Sequence, residues 1–306
     1  MPAVPHSSGN FGDLIDKRVT KLFYDKYKQL PDRIASIYSI EKSNDQFEKW
    51  SGVGSLPDFT QFAGTVGYQA QALGYDTTAT HVPFANGIQI ERELYDDDRH
   101  GIWERRPVAL AQAAQRTRQK HGARIFNTGA FNNDTFFANN SEGVALCSDS
   151  HTTNSGVSTI SGFDNLTTSS LSAVSVAAAR IQMRGFRGDV GERISVTPDT
   201  LLIPPDLYEI AFEIAESEGK VDSANNNANV HKGKYQVIDW EYLTDTNNWF
   251  MMDSSMQKES LTWFDRIPLE FAMAEELDTL VAKWRAYMRY SCAWWDWRFI
   301  LGGNVS

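Results

Sequence analysis

The chain has 306 residues, enough for one large domain or two modest ones, and 42% of them are hydrophobic, so it can bury a sizeable core. A net charge of −10 argues against a protein that coats nucleic acid by neutralising phosphates. Cys147 and Cys292 lie too far apart for a metal motif or a disulfide framework, no apolar run reaches the roughly 18 residues of a membrane span, and residues 1–10 lack a signal-peptide layout, which together point to folding in the cytosol.

In chain order, residues 1–12 carry Pro, Ser and Gly and read as a loose terminus. Residues 13–30 predict an amphipathic helix, with Ile15, Val19, Leu22 and Phe23 at helical spacing and Pro31 as its stop. Ile34, Ile37 and Ile40 extend an apolar edge. This arm holds no core of its own and must lie on something else.

Residues 56–87 form a long stretch rich in Gly, Thr, Gln and Ala, with Asp58 and Asp76 as its only acids and no Lys or Arg. Residues 68–72 and 75–82 predict strands around a turn near Leu73-Gly74. Two arms of about 12 residues, at ~3.3 Å each, make a ribbon reaching ~40 Å. Such a ribbon is barely stable alone. It either folds over its own domain or offers Phe59, Phe62, Tyr68 and Tyr75 as a contact surface.

Residues 88–98 predict a strand and an acidic turn, Asp96 to Asp98, placed to start a helix. Residues 101–127 follow as a long helix with Leu110, Ala113, Ala114, Thr117 and His121 on one side. It carries Arg105, Arg106, Arg116, Arg118, Lys120 and Arg124 against the single acid Glu104, whereas residues 189–280 hold nineteen acids against six bases. The basic helix therefore either meets acidic surface or faces a polyanion such as DNA.

A loop-rich stretch occupies 129–165. Residues 165–184 predict a second helix with Leu171, Val174, Ala178 and Ile181 inward; residues 204–217 predict a third with Leu207, Ile210, Ala211 and Ile214 inward. Strands are expected at 194–196, 201–203, 235–240, 249–252, 261–264, 281–293 and 298–301. Helices and antiparallel strands in separate runs make an α+β pattern.

Other constellations carry little chemistry. Ser148-Asp149-Ser150-His151 offers hydrolase residue types, but four neighbours on a loop rarely place a base against an activated nucleophile, and no Gly-x-Ser-x-Gly elbow is present. The six histidines show no paired metal spacing, and no phosphate loop or dinucleotide fingerprint occurs, so no metal or cofactor is expected. Trp294-Trp295-Asp296-Trp297 reads as packing beside a strand rather than sugar stacking.

The order of amphipathic arm, uncharged hairpin, basic helix, mixed domain and late strands resembles the Hong Kong 97 (HK-97-like) capsid fold. Local phrases resemble the Mu-like phage major head subunit family: Phe23-Tyr24-Asp25 with Leu30-Pro31, Gly52-Val53-Gly54, Tyr75-Asp76 with Thr80-His81, Glu93 with Asp96 to Asp98, and Pro107 with Ala109-Leu110-Ala111. Gly143 to Ser148 with His151, Leu202-Ile203-Pro204-Pro205, Thr244-Asp245 with Trp249-Phe250, and Arg289-Tyr290-Ser291 continue the likeness, which covers about 21–303.

The resemblance implies an N-terminal arm over 1–50, an extended E-loop over 51–90 and a P-domain spine helix over 91–130. It further implies a mainly A-domain segment over 131–255 and returning P-domain strands over 256–306. It implies a non-enzymatic major head protein of a tailed double-stranded DNA phage, forming hexamers and pentamers of an icosahedral shell. The expected partners are other copies of itself, portal, scaffolding and decoration proteins, and packaged DNA held without sequence preference. The expected location is the virion, after assembly in the bacterial cytoplasm, with no membrane contact. Inter-subunit contacts are expected at Ile15, Leu22, Phe23, Phe59, Phe62, Tyr68 and Tyr75, and DNA-facing charge at the six cations of 101–127. The E-loop has no lysine for an isopeptide cross-link, and there is no long helical extension serving as a built-in scaffold. The rival classes are an encapsulin-like compartment and a hydrolase using Ser148 and His151.

Overall fold

The structure, a computed structural model, describes residues 9–62, 64–91, 102–219, 228–276 and 281–305. Its helices are α1 Gly9–Gln29, α2 Ile34–Ile37, α3 Ile102–Ala123, α4 Thr128–Phe131, α5 Ala173–Met183, α6 Tyr208–Glu216 and α7 Ser254–Ser260. Its strands are β1 Ser39–Lys42, β2 Phe47–Val53, β3 Leu73–Thr80, β4 Val82–Glu91, β5 Ala138–Asn140 and β6 Leu166–Thr167, followed by β7 Thr200–Ile203, β8 Gln236–Asp239, β9 Trp249–Met252, β10 Leu261–Glu276, β11 Val281–Trp294 and β12 Ile300–Gly303. Two compact units form, one from Met1–Arg33, Val82–His121 and Asp265–Tyr290, the other from Ile34–His81, Gly122–Phe264 and Ser291–Ser306.

In the first unit, β4 and β11 pair antiparallel, from Val281 opposite Glu91 to Tyr290 opposite Val82. Side chains alternate along β11: Trp284, Ala286, Met288 and Tyr290 are buried, while Lys283 and Arg285 are exposed. The buried face is covered by α1 and α3. Phe23, Leu110, Ala111 and Ala286 make one core cluster, and Val19, Ile90 and Trp284 another. Phe23 stacks on Phe271 with ring centroids 4.4 Å apart. The amide of Gln115 donates to the Pro31 carbonyl at 3.0 Å and that of Gln119 to the Asp32 carboxylate at 2.8 Å, tying the end of the arm to α3.

Several expectations change here. Phe23, read as an inter-subunit contact, is fully buried in its own chain, because the arm uses its apolar stripe to close this core. Leu22 beside it is only half-buried, and the side chain of Ile15 lies outside the described residues. The acidic turn at 96–98 also lies outside them. The inward face expected for the long helix holds: Leu110 and Ala114 are buried.

The second unit contains a three-stranded sheet, β2-β3-β5, and a five-stranded mixed sheet in the order β6-β12-β9-β7-β8. Every residue of β7, β9 and β12 is buried. Such strands read as continuous apolar runs because both faces are covered. Gly302 and Gly303 fit only without side chains, since a Cβ would lie 2.7 Å from Cys147 Sγ or 2.4 Å from Trp249 Nε1. Asn165, fully buried, donates to the carbonyls of Leu146 (2.8 Å) and Ile300 (3.1 Å) and accepts from the Ser148 amide (2.7 Å), which satisfies a polar junction inside an apolar sheet. Asp253 caps α7 by accepting from the amides of Ser255 and Met256.

Helices α5 and α6 pack differently from the sequence expectation. On α5 the buried face is Ala173, Val176, Ala179 and Met183, while Val174 and Ile181 are 74% and 75% exposed. The helix is apolar nearly all round, so periodicity could not choose its inner side. On α6, Ala211, Ile214 and Ala215 are buried, but Ile210 is exposed. No strand forms at 194–196.

Two stability predictions follow from this packing. Phe23→Ala destabilises the subunit by about 3–5 kcal/mol in chemical denaturation, because it empties a stacked core position. Gly302→Ala costs about 1–3 kcal/mol by overpacking against Cys147 and Phe131.

Candidate assembly surface

β3 is held on both sides. It pairs with β2 from Phe47 opposite Thr80 to Ser51 opposite Asp76, and with β5 from Thr77 opposite Asn140 to Ala79 opposite Ala138. The ribbon's outgoing strand is thus 47–53, not 68–72, and Leu73-Gly74 lies in the returning strand rather than in a turn. The register shifts between Ser51 and Val53. There Gly52 and Gly74 approach so closely that a Cβ on Gly52 would lie 2.7 Å from the Tyr75 carbonyl oxygen. The Gly54 amide then donates to the Ala72 carbonyl at 2.8 Å, closing the neck of a loop.

Side chains around the neck anchor it to its own unit. Trp50 stacks on Trp295 with centroids 5.6 Å apart. The Tyr75 and Thr152 hydroxyls share a hydrogen bond of 2.7 Å, and the Asp189 amide donates to the Ser55 hydroxyl at 2.9 Å. Lys49 lies 2.9 Å from Asp76 across the two strands, and its hydrogen bond holds the Asp76 carboxyl below the usual carboxylate range. Tyr75, expected at an inter-subunit contact, is therefore half-buried and engaged within the chain.

Beyond the neck the loop changes character. Phe59 is fully exposed, Tyr68 is 94% exposed and Phe62 69%, and Leu56 and Val66 are exposed as well. Among the described residues, 56–62 and 64–70 make no hydrogen bond to the body of the chain. Isolated exposed apolar side chains are ordinary, but here several large ones share one loop that lies off the body of its unit.

The cations of 101–127 separate into two groups. Arg118 lies 3.1 Å from Asp265 and is nearly buried, and Arg124 donates to both oxygens of Asp134 at 2.6 and 2.9 Å. These two charges are neutralised internally, which removes them from a DNA-facing set. Arg106 donates to the Gln89 carbonyl at 3.2 Å. Arg105, Arg116 and Lys120 are exposed along one line of the helix with Ala109 and Gln112, and among the described residues no acid pairs with them.

The loop with hydrolase residue types does not assemble a nucleophile. The Ser148 hydroxyl pairs with that of Ser150 at 2.9 Å. The His151 ring is buried against Trp297, centroids 4.4 Å apart, with Nδ1 at 3.2 Å from the Glu142 carboxylate and Nε2 facing the Leu146 carbonyl at 3.3 Å. Both ring nitrogens thus face partners other than Ser148, and no hydrogen bond joins His151 to Ser148 among the described residues. Burial raises the thiols of Cys147 and Cys292 well above their ordinary values, leaving them unreactive. Among the described residues no group of three or more His, Cys, Asp or Glu could hold a metal, and no helix is long and apolar enough to cross a membrane.

No curated protein matches the sequence. Solved structures do. The capsid of an empty GTA particle is 11% identical, with 90% of this chain and 91% of that chain aligned at a TM-score of 0.56. The bacteriophage JBD30 capsid is 14% identical over 70% of this chain and 92% of that one, with a TM-score of 0.55. The bacteriophage PhiM1 mature capsid is 8% identical over 90% and 88%, with a TM-score of 0.59. At these identities the likeness is one of fold, the Hong Kong 97-like fold. The model of the family described as phage capsid protein matches residues 74–302, three quarters of the sequence. The protein therefore belongs to the phage capsid protein family.

Proposed function

We propose that this chain is the major head protein of a tailed phage, closing as pentamers and hexamers into an icosahedral shell around double-stranded DNA. The observation that carries this reading is the loop 55–71: a neck fixed in its own unit by Trp50, Ser55 and Tyr75, and a tip whose Phe59, Phe62 and Tyr68 stand exposed. The tip is the E-loop of this subunit and clasps a neighbouring copy. α1 corresponds to the N-terminal arm, and α3 to the spine helix of the P-domain. Many modest contacts of this kind, repeated over a closed lattice, give a stable shell whose single contacts can still reverse during assembly.

The exposed line of Arg105, Arg116 and Lys120 supplies a second contact, to packaged DNA without sequence preference. Three charges per copy on an otherwise acidic protein hold the genome at the wall without binding it tightly. Portal, scaffolding and decoration proteins of the same phage complete the set of partners, and assembly takes place in the host cytoplasm.

Phe59→Asp or Tyr68→Asp abolishes shells in negative-stain microscopy, with the subunit's unfolding free energy changed by no more than about 0.5 kcal/mol. Normal heads from either variant would refute the clasp. Replacing Arg105, Arg116 and Lys120 together by Glu leaves shell yield unchanged and flattens the salt dependence of DNA retention in opened shells; an unchanged salt slope would remove these residues from the DNA contact.

A further inference from the structure

In the first unit, α3 and the strands beneath it do not close on each other everywhere. Where Ala113, Ala114 and Ala286 meet, three methyl groups leave a hole of about 180 Å³, completed by Phe84, Leu269 and Met288 among others. An apolar cavity of about 150 Å³ holds a benzene molecule, so this one has room for a single phenyl ring. No charged residue lines it. Its polar lining residues are engaged with backbone: the Thr117 hydroxyl donates to the Ala113 carbonyl at 2.8 Å, and the Asn86 side chain accepts from the Gly87 amide at 2.8 Å. Phe84 stacks on Tyr290, ring centroids 4.9 Å apart, which fixes one wall in place. Ala85 and Asn86 are exposed, so the hole opens to solvent at their side.

The loop 55–71 offers a ring of the matching kind. Phe59 is fully exposed, and residues 59–75 carry no charged side chain. A ring on such a stretch enters an uncharged hole without stripping water from any charge. Other exposed apolar side chains fit less well. Val174 and Ile181 share α5 with Arg180 and stand close to Arg184, and Val230 is followed by His231 and Lys232. Ile160 rides on a loop tied back by the Arg187 amide to the Gly162 carbonyl at 3.0 Å. Tyr68 would bring a hydroxyl into a hole whose polar groups already have partners, and a buried hydroxyl without one is costly. Phe62 is less exposed than Phe59.

We infer that Phe59 of one copy enters the hole between α3 and the strands of a neighbouring copy. This rests on the shell reading above and names the seat of the loop tip.

The experiment uses the full chain with Asp58→Cys, beside the ring, and Asn86→Cys, at the rim of the hole. Particles co-assembled from the two variants are treated with a short bis-maleimide. Buried Cys147 and Cys292 do not compete. The mixture gives dimers joining one variant to the other, and a chain carrying both changes gives longer products, because each copy both donates and receives a ring. No mixed dimer in particles that form normally would overturn the seat while leaving the shell reading intact. Dimers of Asp58→Cys with itself, which would place the tips on one another, would overturn it as well. A size exchange checks it without a linker: Ala113→Leu fills the hole and loses most of the particles, with the subunit's denaturation midpoint unchanged, and adding Phe59→Ala to the same chain restores them. Assembly abolished by Phe59→Asp but untouched by Ala113→Leu would mean that the tip clasps its neighbour elsewhere, and would overturn the seat alone. Wild-type protein that gives no shells when expressed with its neighbouring genes would remove both readings together.

Discussion

Between Ser51 and Val53 the pairing of β2 with β3 slips, and two glycines, Gly52 and Gly74, come within a distance that no side chain would allow. Where that approach sits decides what the rest of the loop can do. Inward of it, Trp50, Lys49 and Tyr75 are engaged on the same unit; outward of it, the backbone leaves β-pairing and its aromatics face solvent. A larger residue at either glycine would splay the neck and redirect the tip. The assembly reading therefore hangs on a backbone contact rather than on the exposed rings alone.

The chain's charges divide in the same way between internal and external use. Arg118 with Asp265 and Arg124 with Asp134 join segments of a single unit, where removing one partner would strand the other away from water. Among the described residues no ion pair engages Arg105, Arg116, Lys120 or the glutamates of α6. Net charge gives no hint of this division, because the six cations of 101–127 fall into both groups.

The broad plan was legible from sequence. Pro31 as a helix stop, the period-2 alternation along 281–293 and the helical spacing of Leu110, Ala114 and Thr117 all lead to the observed elements. The misreadings have physical causes. Phe23 was legible as apolar but not as belonging to its own core, because an amphipathic stripe does not say which chain it covers. The outgoing strand 47–53, with Lys49 and Glu48 among its residues, lacks a clean alternating pattern, so the ribbon was displaced toward the uncharged stretch that is in fact its loop. For α5, apolar residues on every side left orientation to tertiary packing. Arg118 and Arg124 looked like their exposed neighbours because an ion pair between distant segments leaves no local mark.

The rings at the loop tip also bear on the life of each copy before it joins others. A newly made chain displays Phe59, Phe62 and Tyr68 much as a misfolded one would, and quality-control factors respond to such display whatever its purpose. The interval between release from the ribosome and capture by a growing lattice is thus a period of vulnerability. Rapid, concentrated synthesis of the chain shortens it.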